Sequence, residues 1–230
     1  MIAMLIAGFL ETSFVDWCGK VVATVFTYGC NFRCPFCHNY TLVTEKKKRF
    51  IPMEKVIEWV EYLKDWIDGV CITGGEPTIH LDLTEFIKEV TKITEVKVDT
   101  NGTNPEILRE LIPHVSYVAM DIKAPKNRYE ELAGARVNME KIEESIEIIK
   151  RYARDYEFRT TAVPTLGMKD FEQIASWLHG AKRYVIQQYS TKGGTLEPEY
   201  LKLRPMREET LHKICMKIRH HFRQCRVVNL

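Results

Sequence analysis

GVCITGGEPTIHLDLTEFIKEVTKITEVKVDT, residues 69–100, decides the fold. The apolar run GVCIT (69–73) stops at Gly74-Gly75-Glu76-Pro77. Leu83, Phe86, Ile87 and Val90 then recur at helical spacing. VKVDT (96–100) follows, β-branched and ending in polar residues. Strand, helix and strand in so short a span make a βαβ unit, whose two strands run parallel.

The same alternation extends in both directions. VVATVF (21–26) precedes a helix near 53–67, with Val56, Val60, Leu63 and Ile67 on one face. A short helix follows Asn104-Pro105, an N-cap with a first-turn proline. SYVAMDI (116–122) leads to a helix near 138–153, where Ile142, Ile146 and Ile149 align. EFRTTAV (157–163) leads to one near 169–179, and RYVIQQY (183–189) to a last helix near 207–222. A closed (β/α)8 barrel takes ~250 residues. Six units in 230 residues predict an α/β fold, an open partial (β/α)6 TIM-like barrel of parallel strands with an N-terminal extension. A doubly wound open sheet is the alternative that periodicity leaves standing. One domain is expected over 1–230, with a core of about 20–190 and a C-terminal helix and tail over 205–230.

Lys plus Arg total 33 and Asp plus Glu 31, a net charge of +2. That balance argues against nucleic acid or a membrane surface as partner. MIAMLIAGFL is apolar, but Glu11 ends it well short of the ~20 residues of a spanning helix, and it lacks the basic start and cleavage site of a signal peptide. Seven cysteines, an odd number with three of them close together, fit a metal site in a reducing compartment better than a disulfide framework. A cytoplasmic location is expected.

Polar residues gather at the carboxyl ends of the expected strands, where parallel sheets bind ligands. They are TYGCNFRCPFCHN (27–39), then Gly74-Gly75-Glu76, Asp99-Thr100-Asn101-Gly102, Asp121 and Lys123, Arg159-Thr160-Thr161, and Gln187-Gln188. The strongest signal is Cys30-x3-Cys34-x2-Cys37. Thiolates suit zinc or an iron–sulfur cluster. Cys18, Cys71 or His38 would have to complete a zinc site, and ferredoxin spacings need a fourth cysteine. A [4Fe–4S] cluster on three cysteines leaves one iron open to another ligand. Phe36 either packs the loop or faces a base ring. Cys71 and Cys215 read as core residues, and Cys18 and Cys225 stay open. The basic run Lys46-Lys47-Lys48-Arg49 reads as a solvated loop, with docking of an acidic partner surface as the alternative, and His80 and His114 carry no signal. Trp59, Trp66 and Trp177 read as packing residues.

CNFRCPFC with an aromatic before the third cysteine, followed by GGEP, resembles the radical S-adenosylmethionine superfamily. ETSFVDWCGKVVATVFTYGCNFRCPFCHN, TGGEPT, VDTNGTNP, VAMDIKAP and FRTTAVP resemble the glycyl-radical-enzyme activating enzymes, above all the branch that activates anaerobic ribonucleoside-triphosphate reductase. The likeness covers roughly 8–190. It implies that Cys30, Cys34 and Cys37 hold one [4Fe–4S] cluster and that S-adenosylmethionine chelates the open iron. Gly74, Gly75 and Glu76 would receive the methionyl amine. Lys123 and Arg159 would face the carboxylate, Asn101 the ribose and Val163 the adenine. Asp99 and Asp121, with Thr100 and the Ala119 carbonyl, would hold a monovalent cation. The partners implied are a glycyl radical enzyme and a flavodoxin- or ferredoxin-type electron donor. No catalytic acid or base is implied. A radical enzyme acting on a small molecule such as a deazapurine precursor is the first rival. A non-catalytic iron–sulfur or zinc module is the second. Cys18-Gly19 stands where Pro-Gly is expected, and the cysteine-rich insertion of multi-cluster activases is missing.

Overall fold

The computed structural model describes residues 4–44 and 49–229. In chain order the elements are β1 (Ile6–Ser13), β2 (Val22–Thr27), α1 (Thr41–Thr44), α2 (Met53–Leu63), β3 (Gly69–Gly74), α3 (Leu83–Thr91), β4 (Glu95–Thr100), α4 (Pro105–Leu111), β5 (Tyr117–Asp121), α5 (Tyr129–Ala133), α6 (Met139–Tyr152), β6 (Tyr156–Ala162), α7 (Met168–Trp177), β7 (Arg183–Gln188), α8 (Glu208–Ile218) and β8 (Gln224–Val228). They fall into two compact units, neither a continuous segment. The first runs to Asn31 and takes in Thr41–Ala119 and Glu140–Asp155. The second holds Phe32–Tyr40, Met120–Met139 and the chain from Tyr156.

In the first unit, β2, β3 and β4 pair in parallel, with Val22 opposite Gly69 and Gly69 opposite Glu95. The register sets the two faces. Val70, Ile72, Val96 and Val98 are fully buried. The row Thr24, Cys71 and Lys97 lies side by side across the three strands. Cys71 sits in a buried cluster with Trp17, Val22, Tyr117 and Ala119. Helix α3 buries Leu83, Phe86, Ile87 and Val90, worth ~1.5–3 kcal/mol each before chain entropy is charged against them. The apolar N-terminal extension is a strand, not a helix. β1 pairs antiparallel to β2, with register shifts that mark bulges. Trp66, expected to pack, is 79% exposed, because α2 ends at Leu63 rather than at 67.

In the second unit, β6, β7 and β8 pair in parallel, with Phe158 opposite Tyr184 and Tyr184 opposite Cys225. β8 (Gln224–Val228) lies in the C-terminal tail, for which the sequence pattern predicts no strand. Phe171 and Ile174 of α7 and Leu211, Ile214 and Ile218 of α8 supply buried apolar faces. β5 is shared: Tyr117–Ala119 count with the first unit, Met120 and Asp121 with the second. Lys46, Lys47 and Lys48 of the basic run lie outside the described residues.

Candidate active site

In the first unit, the end of β3 must turn beside the loop that carries Cys30. Gly74 has φ +111°, and a Cβ there would lie 2.5 Å from the Thr27 nitrogen. A Cβ on Gly75 would lie 1.8 Å from the Gly29 carbonyl oxygen. The glycine pair therefore admits the chain's own backbone. Gly75 N–H donates to the Thr27 carbonyl at 2.9 Å, and Glu76 N–H to the Gly29 carbonyl at 2.9 Å.

Glu76 is 1% exposed. Its Oε1 accepts the Thr78 N–H at 3.1 Å, the Thr78 hydroxyl at 2.6 Å and the Thr100 hydroxyl at 2.7 Å; Oε2 accepts the Asn101 N–H at 2.6 Å. Burial pushes the carboxyl above its ordinary value, against the pull of those donors. A carboxylate has about four lone-pair positions, so Oε2 keeps capacity for an ammonium donor.

Asn101 extends the brace. Its amide donates to Asn31 Oδ1 at 2.8 Å and lies 3.9 Å from Cys30 Sγ. Its Oδ1 accepts the Thr103 N–H at 3.0 Å and the Thr103 hydroxyl at 2.7 Å. The Asn31 amide reaches the Thr103 hydroxyl at 2.7 Å. Asn104 is the N-cap of α4, but its side chain makes no capping bond there. Its amide donates instead to the Thr78 carbonyl and hydroxyl, both at 3.1 Å. His80, read as background, is 4% exposed, and its Nε2 donates to the Tyr28 carbonyl at 3.0 Å. Burial lowers its pKa. Sequence reasoning missed Asn31, Thr78, His80, Thr103 and Asn104. The dense Thr/Asn content of 100–104 was the available sign.

Asp99 meets a partner that sequence reasoning also passed over. Lys97 lies two residues back on the same strand face, 3% exposed, with its Nζ 2.8 Å from Asp99 Oδ1. The same ammonium donates to the Asp16 carbonyl. Thr100 is committed to Glu76 and accepts the Gly102 N–H at 3.0 Å.

In the second unit, Asp121, Lys123 and Arg159 form one cluster. Lys123 Nζ is 2.9 Å from Asp121 Oδ2, and Arg159 Nε donates to Asp121 Oδ1. Burial alone would raise the Asp121 carboxyl. The two cations outweigh it and hold it well below the usual range. Burial likewise opposes the Lys123 charge, and Asp121 overrides it upward. Two cations against one anion leave a net positive charge, which fits a ligand carboxylate. Thr160 Oγ1 donates to the Ile122 carbonyl at 2.8 Å, which locks β6 beside this segment.

Cys34 is buried, and burial pushes its thiol up to about 11 while Lys123 pulls it down. Cys37 is half-buried and raised for the same reason. Such thiols ionise against coordinated metal rather than against water. Phe36 is 5% exposed, with its ring 6.5 Å from that of Tyr200. Val163 is fully buried at the end of β6. Cys215 is not the core residue expected. It is half-buried, 3.1 Å from Cys225 Sγ. Cys18 is exposed.

Each unit carries groups whose chemistry fits part of an iron–sulfur and amino-acid-bearing cofactor: Cys30 and the Glu76 acceptor in the first, Cys34, Cys37 and the net-positive carboxylate site in the second. The oxygen set implied for a monovalent cation is divided between the units, with Asp99, Thr100 and the Ala119 carbonyl in the first and Asp121 in the second. Asp99 already faces the Lys97 ammonium, and Asp121 already faces two cations. Among the described residues, no helix is long and apolar enough to cross a membrane.

A family model described as the radical SAM superfamily matches residues 24–178. A Methanocaldococcus jannaschii protein, provisionally named a glycyl-radical enzyme activating enzyme, is 34% identical over 221 residues, covering 91% of this chain and 90% of that protein. The structure of TYW1 with a lysine-pyruvate adduct bound matches with a TM-score of 0.65 at 16% identity, over 86% of this chain and 72% of that one. A crystal structure of a domain of pyruvate-formate lyase-activating enzyme from Bacteroides vulgatus matches with a TM-score of 0.56 at 15% identity, over 70% of this chain and 98% of that one. The structural likenesses show the fold, a parallel-stranded α/β sheet that stays open, as in a partial TIM-like barrel.

Proposed function

Because the chain belongs to the radical S-adenosylmethionine superfamily, we propose that it is an activase that takes a Cα hydrogen from a glycine of a partner glycyl radical enzyme. The observation that carries the activase reading is the likeness to the Methanocaldococcus jannaschii protein, which extends over nine-tenths of both chains. When bound, a [4Fe–4S] cluster and S-adenosylmethionine supply one-electron cleavage of the sulfonium and a 5′-deoxyadenosyl radical.

The protein's part is to hold and orient. Cys30, Cys34 and Cys37 are the cluster ligands in this reading. Glu76 Oε2 and the Gly74-Gly75 backbone take the methionyl amine. Lys123 and Arg159 take the carboxylate, with Asp121 fixing both cations. Asn101, whose amide is already braced against Asn31, lines the ribose. Phe36 and Val163 border the adenine. No side chain acts as acid or base. The cation-free arrangement at Asp99 uses Lys97 as the built-in positive charge. Residues 1–230 act as one domain, since each unit is assembled from separated segments. A flavodoxin- or ferredoxin-type protein supplies the electron, and anaerobic ribonucleotide reductase is the partner that the sequence resemblance implies.

The test is anaerobic. The chain is reconstituted with iron and sulfide, reduced, and given S-adenosylmethionine with or without a glycyl radical enzyme. Electron paramagnetic resonance and chromatography follow the radical and 5′-deoxyadenosine. A glycyl radical that vanishes when the partner's glycine becomes alanine supports the reading. Deoxyadenosine without a glycyl radical, but with turnover of a purine-like small molecule, overturns the activase reading within the superfamily.

A further inference from the structure

Two cysteines outside the proposed site meet at the junction of α8 and β8. Cys215 flanks the buried stripe of Leu211, Ile214 and Ile218. Past α8, the chain reverses through Arg219–His221 and is pinned on return. Gly180 N–H donates to the His221 carbonyl at 2.8 Å, Arg223 N–H to the Ala181 carbonyl at 3.2 Å, and Gln224 N–H to the Lys182 carbonyl at 3.1 Å. Phe222 stacks on Tyr184 with ring centroids 4.8 Å apart. β8 then pairs with β7, with Cys225 opposite Tyr184. These bonds deliver the two sulfurs to 3.1 Å, and both residues are half-buried and open to small solutes.

We propose that Cys215 and Cys225 form a reversible dithiol site that undergoes thiol–disulfide exchange with a low-molecular-weight disulfide. The thiolate of Cys215 attacks one sulfur of the small disulfide, forming a mixed disulfide and expelling one small thiolate. Cys225 then loses its proton and attacks the Cys215 sulfur. The mixed bond breaks and expels the second thiolate. The protein gives up two electrons and two protons, and the small disulfide becomes two thiols. Cys215 is suited to attack first. The Cys225 hydrogen bond, with His212 and Arg219 nearby, pulls it down to about 7, while the same bond holds Cys225 up. The product ties α8 to β8, and the short loop between them is already ordered in the dithiol form. The inference does not depend on the cluster or on the activase reading.

The full chain, purified anaerobically, is equilibrated with glutathione buffers from fully reduced to fully oxidised. It is then quenched in acid, alkylated and mapped by peptide mass. The expected product is a linked Cys215–Cys225 peptide two hydrogens lighter. A rise in thermal midpoint of about 5 °C should accompany it, from the closed loop. Cys215→Ser and Cys225→Ser should each lose the link, and the remaining thiol should keep a stable glutathione adduct. Exposed Cys18 serves as an internal control for glutathione adduct formation. The proposal is overturned if both thiols stay free for alkylation in fully oxidised buffer, or if either pairs with another cysteine instead.

Discussion

Glu76 Oε2 accepts the main-chain N–H of Asn101 at 2.6 Å, so a side chain at the end of β3 is bonded to the backbone at the end of β4. With the Thr78 and Thr100 hydroxyls on Oε1, one carboxylate holds two strand ends together. Glu76→Gln turns one acceptor oxygen into a donor that faces donors. Each buried donor left unpaired costs about 1–3 kcal/mol. We expect Glu76→Gln to lower the unfolding free energy of the iron-free chain by that amount, and Glu76→Ala to cost more. Urea denaturation followed by circular dichroism checks this.

Gly75 offers a sharper case. A Cβ there would stand 1.8 Å from the Gly29 carbonyl oxygen, a backbone atom that cannot swing aside. Overpacking of a tight site costs about 1–3 kcal/mol, and more when backbone must move. Gly75→Ala should therefore destabilise the fold and shift the loop before Cys30. A thermal midpoint equal to that of the parent chain would contradict the contact.

Asp121 keeps two half-buried cations company. Removing one partner of a fully buried pair costs about 3–5 kcal/mol, and less where solvent reaches the charges, as here. Asp121→Asn should destabilise more than Lys123→Met, which leaves the acid still matched by Arg159. Denaturation midpoints of the two variants decide the order.

The pH dependence follows from His80. Its folded pKa is depressed by burial, with Asp82 as the nearby charge opposing that shift. A depressed histidine binds protons more readily unfolded than folded, so its contribution is fully present above about pH 6.5 and is lost as pH falls through that value. Stability of the iron-free chain should decline between pH 7 and 5.5, and His80→Gln should flatten that decline. Thermal midpoints across the range, for both proteins, check the sign.

Lys97 makes the last prediction. Because an internal ammonium already faces Asp99, exchanging potassium for a bulky organic cation should change S-adenosylmethionine affinity by less than about threefold, under 1 kcal/mol. Calorimetric titration of the reconstituted protein in the two salts measures it.

The strands and helices of both units were legible because their apolar residues keep strict period, as in Leu83, Phe86, Ile87 and Val90. β1 was not, since an unbroken apolar run reads equally as strand or buried helix. β8 was not, because Gln224–Val228 is short and only half-buried. At the candidate site, position along the chain exposed Gly74, Gly75, Glu76, Asp99 and Asp121. It did not expose who bonds to whom. The bracing role of Asn101, the glycine pair's accommodation of Gly29, and the Lys97–Asp99 pair depend on which strand ends meet. That information lies in register, not in local spacing. A lysine two positions before an aspartate in a strand was the one cue that period-2 geometry offered.

The segmented make-up of the second unit has a consequence for the nascent chain. Cys34 and Cys37 belong to a unit whose strand β6 begins only at Tyr156. More than a hundred residues separate Tyr40 from Tyr156, so at about 5–20 residues per second a ribosome needs roughly 6–23 s to make the partners that bury those thiols. Throughout that interval two of the proposed cluster ligands are synthesised but unsheltered. Metal loading is thereby a task for the finished polypeptide rather than for the growing one.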